Sequence, residues 1–164
     1  MNTVFTYYIL AICFFASSCG YGSVRVPTGA MQPTISVGSY VIWDKSAYAS
    51  ANDVKRFDLV LHTLPPSEKN RARGIDENTR FIFRVIGLGG EKVELRNGDV
   101  FIDGKKLNQP FEKNPSTDSF ATILVPVNEY FLLGDNRPES EDSRFWQPST
   151  IGLERIAGKV MEIL

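Results

Sequence analysis

The sequence is poor in the residues that build disulfide frameworks and metal sites. Among 164 residues there are two cysteines, at positions 13 and 19, and a single histidine, at position 62. Because no cysteine follows residue 19, the rest of the chain cannot form an internal disulfide, which is compatible with any compartment. No further cysteine or histidine completes a ligand set around Cys13 and Cys19, so we expect no metal site.

Strong charge and nucleotide-binding motifs are also missing. The net charge is −1, which gives no reason to propose nucleic acid as a partner. The sequence contains no H-E-x-x-H zinc motif, no P-loop and no glycine-rich dinucleotide motif, and we expect no cofactor. Hydrophobic residues make up 43% and charged residues 23%, values typical of one globular domain at this length.

One long apolar run is present, at residues 4–16, and only Thr6 interrupts it. It is shorter than the roughly 20 residues of a bilayer-spanning helix and fits the h-region of a signal peptide, about 7–15 residues. The small residues 16–18 then lead to Cys19, an order that resembles a lipoprotein processing site with Cys19 lipidated. No Lys or Arg precedes the run, and an alanine stands three residues before the cysteine, so an uncleaved, short, tilted anchor is the alternative. In either case we expect residues 1–19 to hold the chain at a membrane, on its exported face.

The remainder, residues 20–164, predicts one all-β domain of short antiparallel strands in a sandwich or barrel. Asn97-Gly98 is a strong hairpin signal, and Asp103-Gly104 offers a second tight turn. Polar, proline-containing insertions are predicted at about 64–79 and 106–120, and the basic residues of the first could contact anionic lipid or simply face water. The predicted strands are 39–44, 58–63, 81–88, 91–96, 100–102, 121–127, 129–133 and 157–164, and a helical turn is predicted only within 46–54.

The most informative stretch is residues 27–34, which read Pro-Thr-Gly-Ala-Met-Gln-Pro-Thr. Two prolines fix φ, and Gly29 permits dihedrals that a side chain would forbid, so the stretch predicts a stiff exposed loop. It resembles the motif Pro-Ser-Gly-Ser-Met-x-Pro-Thr of type I signal peptidases. The nucleophilic serine of that family falls on Ala30, whose methyl group cannot attack a carbonyl. The resemblance implies an oxyanion or groove role for Thr28, Gly29, Met31 and Pro33.

A second stretch, residues 81–93, reads Phe-Ile-Phe-Arg-Val-Ile-Gly-Leu-Gly-Gly-Glu-Lys-Val. It is similar to the family's Tyr-Ile-Lys-Arg-Val-Ile-Gly-Leu-Pro-Gly-Asp-x-Val, in which the lysine is the general base. A desolvated pocket can keep such an amine neutral, but the matching position here is Phe83. Arg84 cannot replace the lysine, because a guanidinium stays protonated and residue 84 points to the opposite face of the strand.

A third stretch, residues 133–146, reads Leu-Gly-Asp-Asn-Arg-Pro-Glu-Ser-Glu-Asp-Ser-Arg-Phe-Trp. It resembles the family's Gly-Asp-Asn-Arg-x-x-Ser-x-Asp-Ser-Arg-x-Trp. In the family, the equivalent of Ser140 hydrogen-bonds the catalytic lysine, so Ser140 keeps its place without its partner. The resemblance covers residues 24–163 and implies a scaffold role for Arg84, Asp135, Asn136, Ser140, Asp142 and Arg144.

These motifs favour a signal-peptidase-like protein without peptidase activity, which binds extended leader or exported peptides by strand addition and small apolar pockets. An aromatic ring at position 83 fills the space of the base, whereas an unpaired buried amine would be costly. Two alternatives remain: an active serine endopeptidase with a non-standard nucleophile, and a structural envelope module with a closed groove. His62 is expected to be structural. Four other residues are chemically capable but none simply substitutes for the dyad: Ser36, Ser39, Lys45 and Lys92.

Overall fold

A computed structural model of the chain describes residues 20–65, 67, 70, 72 and 74–164. The predicted leader with Cys19, and part of the predicted 64–79 insertion, lie outside the described residues. Within the described ranges, no helix has the length and apolar character needed to cross a membrane.

The described chain is built almost entirely from short strands, so the all-β prediction is confirmed. Three short 3-10 turns lie between strands, at Ala51–Asp53, Arg137–Glu139 and Leu153–Arg155. The strands are β1 (Tyr21–Arg25), β2 (Tyr40–Asp44), β3 (Leu59–Thr63), β4 (Arg80–Gly87), β5 (Lys92–Arg96), β6 (Asp99–Ile102), β7 (Lys105–Lys106), β8 (Phe120–Leu124), β9 (Glu129–Leu133), β10 (Ile151–Gly152) and β11 (Ile156–Ile163).

These strands form two antiparallel sheets. The larger has the order β1-β2-β11-β3-β4-β9-β10, and the smaller has the order β7-β6-β5-β8. The two predicted tight turns are confirmed in the smaller sheet. Asn97 and Gly98 both have positive φ, 50° and 87°, and join β5 to β6; Asp103 and Gly104, at 50° and 78°, join β6 to β7.

Strand β9 separates two hydrophobic clusters. Tyr130 and Leu132 pack into the cluster that also contains Ala30 and Phe83, whereas Phe131 and Leu133 pack into the cluster beneath the smaller sheet. Since successive residues of a strand face opposite sides, a strand buried on both faces must be apolar throughout. Strand β9 runs directly into the third motif, so that motif starts from one of the most constrained parts of the fold.

Three details differ from the sequence prediction. Strands β1, β7 and β10 were not expected, and 3-10 turns form at 137–139 and 153–155 as well as at the expected 51–53. Strand β1 contains glycine and serine, which weaken the sequence pattern expected of a strand. A Cβ on Gly22 would lie 2.6 Å from Trp43 Nε1, so the glycine makes room for the indole of the neighbouring strand. The strand predicted at 121–127 ends at Leu124, two residues before Pro126.

Candidate functional site

The first motif forms the loop that follows β1. Ala30 and Met31 are buried, whereas Thr28 and Pro33 are exposed. The Gln32 amide donates to the Gly29 carbonyl at 3.0 Å, which closes a tight turn around Ala30. The loop therefore presents an exposed hydroxyl, at Thr28, beside the buried methyl group of Ala30.

The third motif holds this turn from the other side. The Asn136 backbone amide donates to the Ala30 carbonyl, and its side-chain amide donates to the Gly29 carbonyl, both at 3.0 Å. The Thr34 hydroxyl donates to Asp135 Oδ2 at 2.5 Å. Two segments that lie about a hundred residues apart in sequence are thus fixed to each other at the position predicted for the nucleophile.

Arg84 and Asp135 join the second motif to the third. The guanidinium donates to both carboxylate oxygens, from Nε at 2.8 Å and from Nη2 at 2.6 Å. Its Nη1 donates to the Phe57 carbonyl at 3.0 Å, and the group lies 4.0 Å from the ring centre of Phe111. Both members of the pair are buried. Arg84 and Phe83 therefore face opposite sides of β4, as the alternation of a strand predicts.

Asp142 is the centre of a second polar network. It is completely buried and accepts hydrogen bonds from the Ser140 hydroxyl at 2.7 Å and from the Gly134 amide at 3.0 Å. Arg144 donates to it from Nε at 2.8 Å and from Nη2 at 2.9 Å. The hydroxyl of Ser140 is therefore used to satisfy a structural carboxylate.

Gly134 brings this network next to the first motif. A Cβ on Gly134 would collide with the Ser140 hydroxyl and would lie 2.7 Å from the Ala30 carbonyl oxygen. Only a residue without a side chain can separate these two groups so narrowly.

Arg137 ties the 106–120 insertion to the third motif. Its side chain is fully buried, donates to the Gly134 carbonyl at 3.0 Å and lies 3.0 Å from Glu112 Oε1. Burial lowers the pKa of Arg137, an effect that the Glu112 carboxylate opposes, and burial raises the pKa of Glu112. A second link joins Arg144 Nη1 to Asp118 at 2.5 Å. Sequence analysis missed these links, because nothing in a polar loop shows which buried charge it will meet.

Phe83 lies in a different environment, which we call the aromatic compartment: the rings of His62, Phe81, Phe83 and Trp146. The Phe83 ring is 3% exposed, and its centre lies 5.5 Å from that of His62 and 5.6 Å from that of Trp146. Phe81 stacks beside it at 6.4 Å. The register of β3 and β4 causes this clustering, because it pairs His62 with Phe81 and Val60 with Phe83 on one face.

His62 is a neutral member of this compartment. It is fully buried, and burial lowers its pKa to about 4. Its Nδ1 lies 3.3 Å from the Thr63 carbonyl, and its Nε2 has no hydrogen-bond partner among the described residues. The sequence analysis expected a structural histidine, but it did not indicate that the imidazole would pack against Phe83.

Ser36 and Ser39 lie on the loop that continues the first motif, and the Ser39 amide donates to the Ser36 carbonyl at 3.2 Å. The two capable lysines lie on other elements. Lys45 follows β2, with its amine 5.5 Å from the ring centre of Trp43, and Lys92 begins β5 in the smaller sheet. The described ranges contain no cluster of three or more His, Cys, Asp or Glu side chains suited to a metal ion.

Comparisons with known proteins agree with the motifs. Probable signal peptidase I-2 of Synechocystis sp. is 32% identical over 147 residues, which cover 88% of this chain and 63% of that protein. Signal peptidase I of Leptolyngbya laminosa is 35% identical over 121 residues, 74% of this chain and 58% of that protein. The chain thus spans about three fifths of the length of these relatives.

Structure and family comparisons lead to the same group. The crystal structure of a signal peptidase I from Enterococcus faecalis superposes with a TM-score of 0.51 at 29% identity, covering 66% of this chain and 97% of that one. The family described as signal peptidase, peptidase S26, matches residues 1–164. The chain therefore belongs to the S26 signal peptidase family.

Proposed function

We propose that this protein binds extended exported peptides and does not cut them. One observation carries the proposal: a buried phenylalanine ring, packed against His62 and Trp146, occupies the position where the resemblance predicts the general base. The ring has no atom that can accept a proton from a nucleophile. The position predicted for that nucleophile is Ala30, which has no hydroxyl.

The framework around these two positions supports binding. Asn136, Arg84 and Asp142 each make several buried hydrogen bonds that fix the loops of the three motifs to each other. A pre-organised loop loses little conformational entropy when a ligand binds. The exposed residues Thr28 and Pro33 would then contact an extended peptide whose backbone adds to a strand edge.

The amino-terminal segment would place this binding site at a membrane surface. Residues 1–19 supply an apolar run and Cys19, which suit either a lipoprotein or an uncleaved anchor. Mass spectrometry of the mature amino terminus distinguishes the two. A lipid-modified Cys19 supports the lipoprotein, and an intact Met1 supports the anchor.

Binding and integrity of one peptide test the proposal together. A fluorescent, alanine-rich leader peptide is titrated with the full chain in detergent, and the recovered peptide is then weighed by mass spectrometry. We expect saturable binding and an intact peptide. Absence of binding would contradict the proposal and favour a structural module with a closed groove.

A second candidate is a peptidase with a relocated pair, and two observations favour it. Thr28 offers an exposed hydroxyl two residues before Ala30, and His62 places a neutral imidazole beside Phe83. If this pair cuts peptides, the native chain cleaves a preprotein and both Thr28→Val and His62→Phe abolish the cleavage. Our proposal expects no product from the native chain.

The dyad positions themselves allow a gain-of-function experiment. The double substitution Ala30→Ser with Phe83→Lys would restore a hydroxyl and an amine at the positions predicted from the family. We expect slow but detectable cleavage of a preprotein by the double variant and none by either single variant. Equal cleavage by a single variant would show that the predicted positions do not work as a pair.

A further inference from the structure

Glu139 places a negative charge over the turn of the first motif. Its side chain is exposed and has no ion-pair or hydrogen-bond partner among the described residues. A Cβ added to Gly29 would collide with Glu139 Oε2 and would lie 2.9 Å from Gln32 Oε1. Two oxygen acceptors therefore lie together over the one residue of the turn that has no side chain.

The backbone that carries Glu139 is firmly held. Glu139 ends the 3-10 turn Arg137–Glu139, and its amide donates to the Asn136 carbonyl at 3.1 Å. Asn136 in turn donates to the carbonyls of Gly29 and Ala30. Pro138 restricts φ inside the turn. The backbone of residue 139 is thus fixed to the segment that carries Gly29.

The nearby charges do not neutralise Glu139. Asp135 is paired with Arg84, Asp142 with Arg144, and Arg137 with Glu112. Arg144 also pairs with Asp118. In the part of the chain that the structure describes, no cation is paired with the Glu139 side chain.

This charge has the wrong sign for acyl transfer. A peptidase stabilises the negative oxygen of its tetrahedral intermediate with hydrogen-bond donors. A carboxylate and an amide oxygen are acceptors, and they suit a ligand that donates N–H groups. Hydrogen bonds between a charged nitrogen and a carboxylate are also stronger than those between neutral groups.

We propose that Glu139, together with Gln32, selects peptides that place a cationic nitrogen over Gly29. The inference rests on the proposed peptide-binding function and makes Glu139 its specificity-determining residue. The nitrogen belongs either to a lysine side chain or to a free amino terminus, and both have the same ammonium chemistry.

Three peptides of equal length test the inference by fluorescence anisotropy with the full chain at low ionic strength. The first is acetylated and carries one lysine, the second is acetylated and carries norleucine instead, and the third carries norleucine and a free amino terminus. We expect the lysine peptide, the free-amine peptide or both to bind about three- to fivefold more tightly than the neutral one, because exposed ion pairs are weak. Added salt should reduce the preference.

Variants that change the charge at position 139 test whether Glu139 causes the preference for cationic peptides. Glu139→Gln should remove the preference for the cationic peptides, and Glu139→Lys should favour a peptide that carries glutamate. Glu162→Gln is the matched control, an exposed glutamate on β11, and should keep the preference.

The outcomes separate the two proposals. Equal binding of all three peptides, or a preference that survives Glu139→Gln, overturns the role of Glu139 and leaves the peptide-binding function standing. No binding of any peptide overturns both.

Discussion

The polar network of the third motif and the aromatic compartment are built in opposite ways, although the network bonds to the Ala30 carbonyl and Phe83 shares a hydrophobic cluster with Ala30. In the loop, the buried charges of Asp135, Asp142 and Arg144 are each paired. In the compartment, Phe83 packs against the rings of Phe81, Trp146 and His62, and burial keeps His62 neutral by lowering its pKa. The loop is stabilised by directed polar contacts and the compartment by apolar burial.

The ion pairs of the third motif hold the fold together, whereas position 83 is where the resemblance predicts the catalytic base. Removing one partner from a buried ion pair leaves an uncompensated charge, so such networks tolerate little change. A pocket for a base has no such constraint once the nucleophile is absent, and a ring fills it while adding apolar contact. The loop therefore resembles the family closely, while position 83 is occupied by an inert side chain.

The largest effect is expected in the loop. Asp142→Ala removes the acceptor of the Ser140 and Arg144 bonds and leaves a buried guanidinium without this partner. We expect a loss of about 3–5 kcal/mol in the free energy of unfolding, measured by urea denaturation. The control Asp99→Ala breaks an exposed pair with Lys106 and should cost less than about 1 kcal/mol. Similar losses of unfolding free energy in Asp142→Ala and Asp99→Ala would show that the buried network of the third motif is no more stabilising than an exposed ion pair.

The compartment should respond to lost volume. Phe83→Ala opens a cavity among three rings and should cost about 3–4 kcal/mol of unfolding free energy. Phe83→Leu keeps most of the volume and should cost less than about 1.5 kcal/mol. If the alanine variant is as stable as the native chain, Phe83 does not fill a packed pocket.

His62 should make stability depend on pH. Its pKa is about 4 when folded and about 6.5 in the unfolded chain, so the unfolded state binds the proton more readily. Its full stability contribution is present above about pH 6.5 and is lost as the pH falls toward 4, by about 3 kcal/mol. The difference between the native chain and His62→Phe, followed by denaturation across this range, isolates the effect from acid-sensitive carboxylates. A constant difference would show that the imidazole is not buried in its neutral form.

Two hydroxyls provide the smallest test. Ser140 donates to a buried carboxylate, whereas Thr28 is exposed. We expect Ser140→Ala to cost about 1.5–3 kcal/mol of unfolding free energy and Thr28→Val to change it by less than about 0.5 kcal/mol. A larger loss for Thr28→Val than for Ser140→Ala would show that the hydroxyl of the first motif, and not that of the third, stabilises the fold.

Local patterns predicted the strands well, because alternation and the Asn97-Gly98 and Asp103-Gly104 turns are local signals. The motif resemblance led to the residues that meet around Ala30. Sequence analysis missed the packing of His62 on Phe83, because a long connection joins β3 to β4 and leaves their register open. It also missed Glu139 over Gly29, which depends on a contact between segments about 110 residues apart. The sequence patterns therefore did not determine the register between strands distant in sequence, or the way in which one loop packs against another.

Incubation of the native full-length chain with an exported preprotein, followed by mass spectrometry, tests the central claim most directly. The account predicts that all of the preprotein is recovered at its original mass, as in the sample without protein. A shorter product that forms in proportion to the amount of chain, and that disappears with Thr28→Val or His62→Phe, would contradict it.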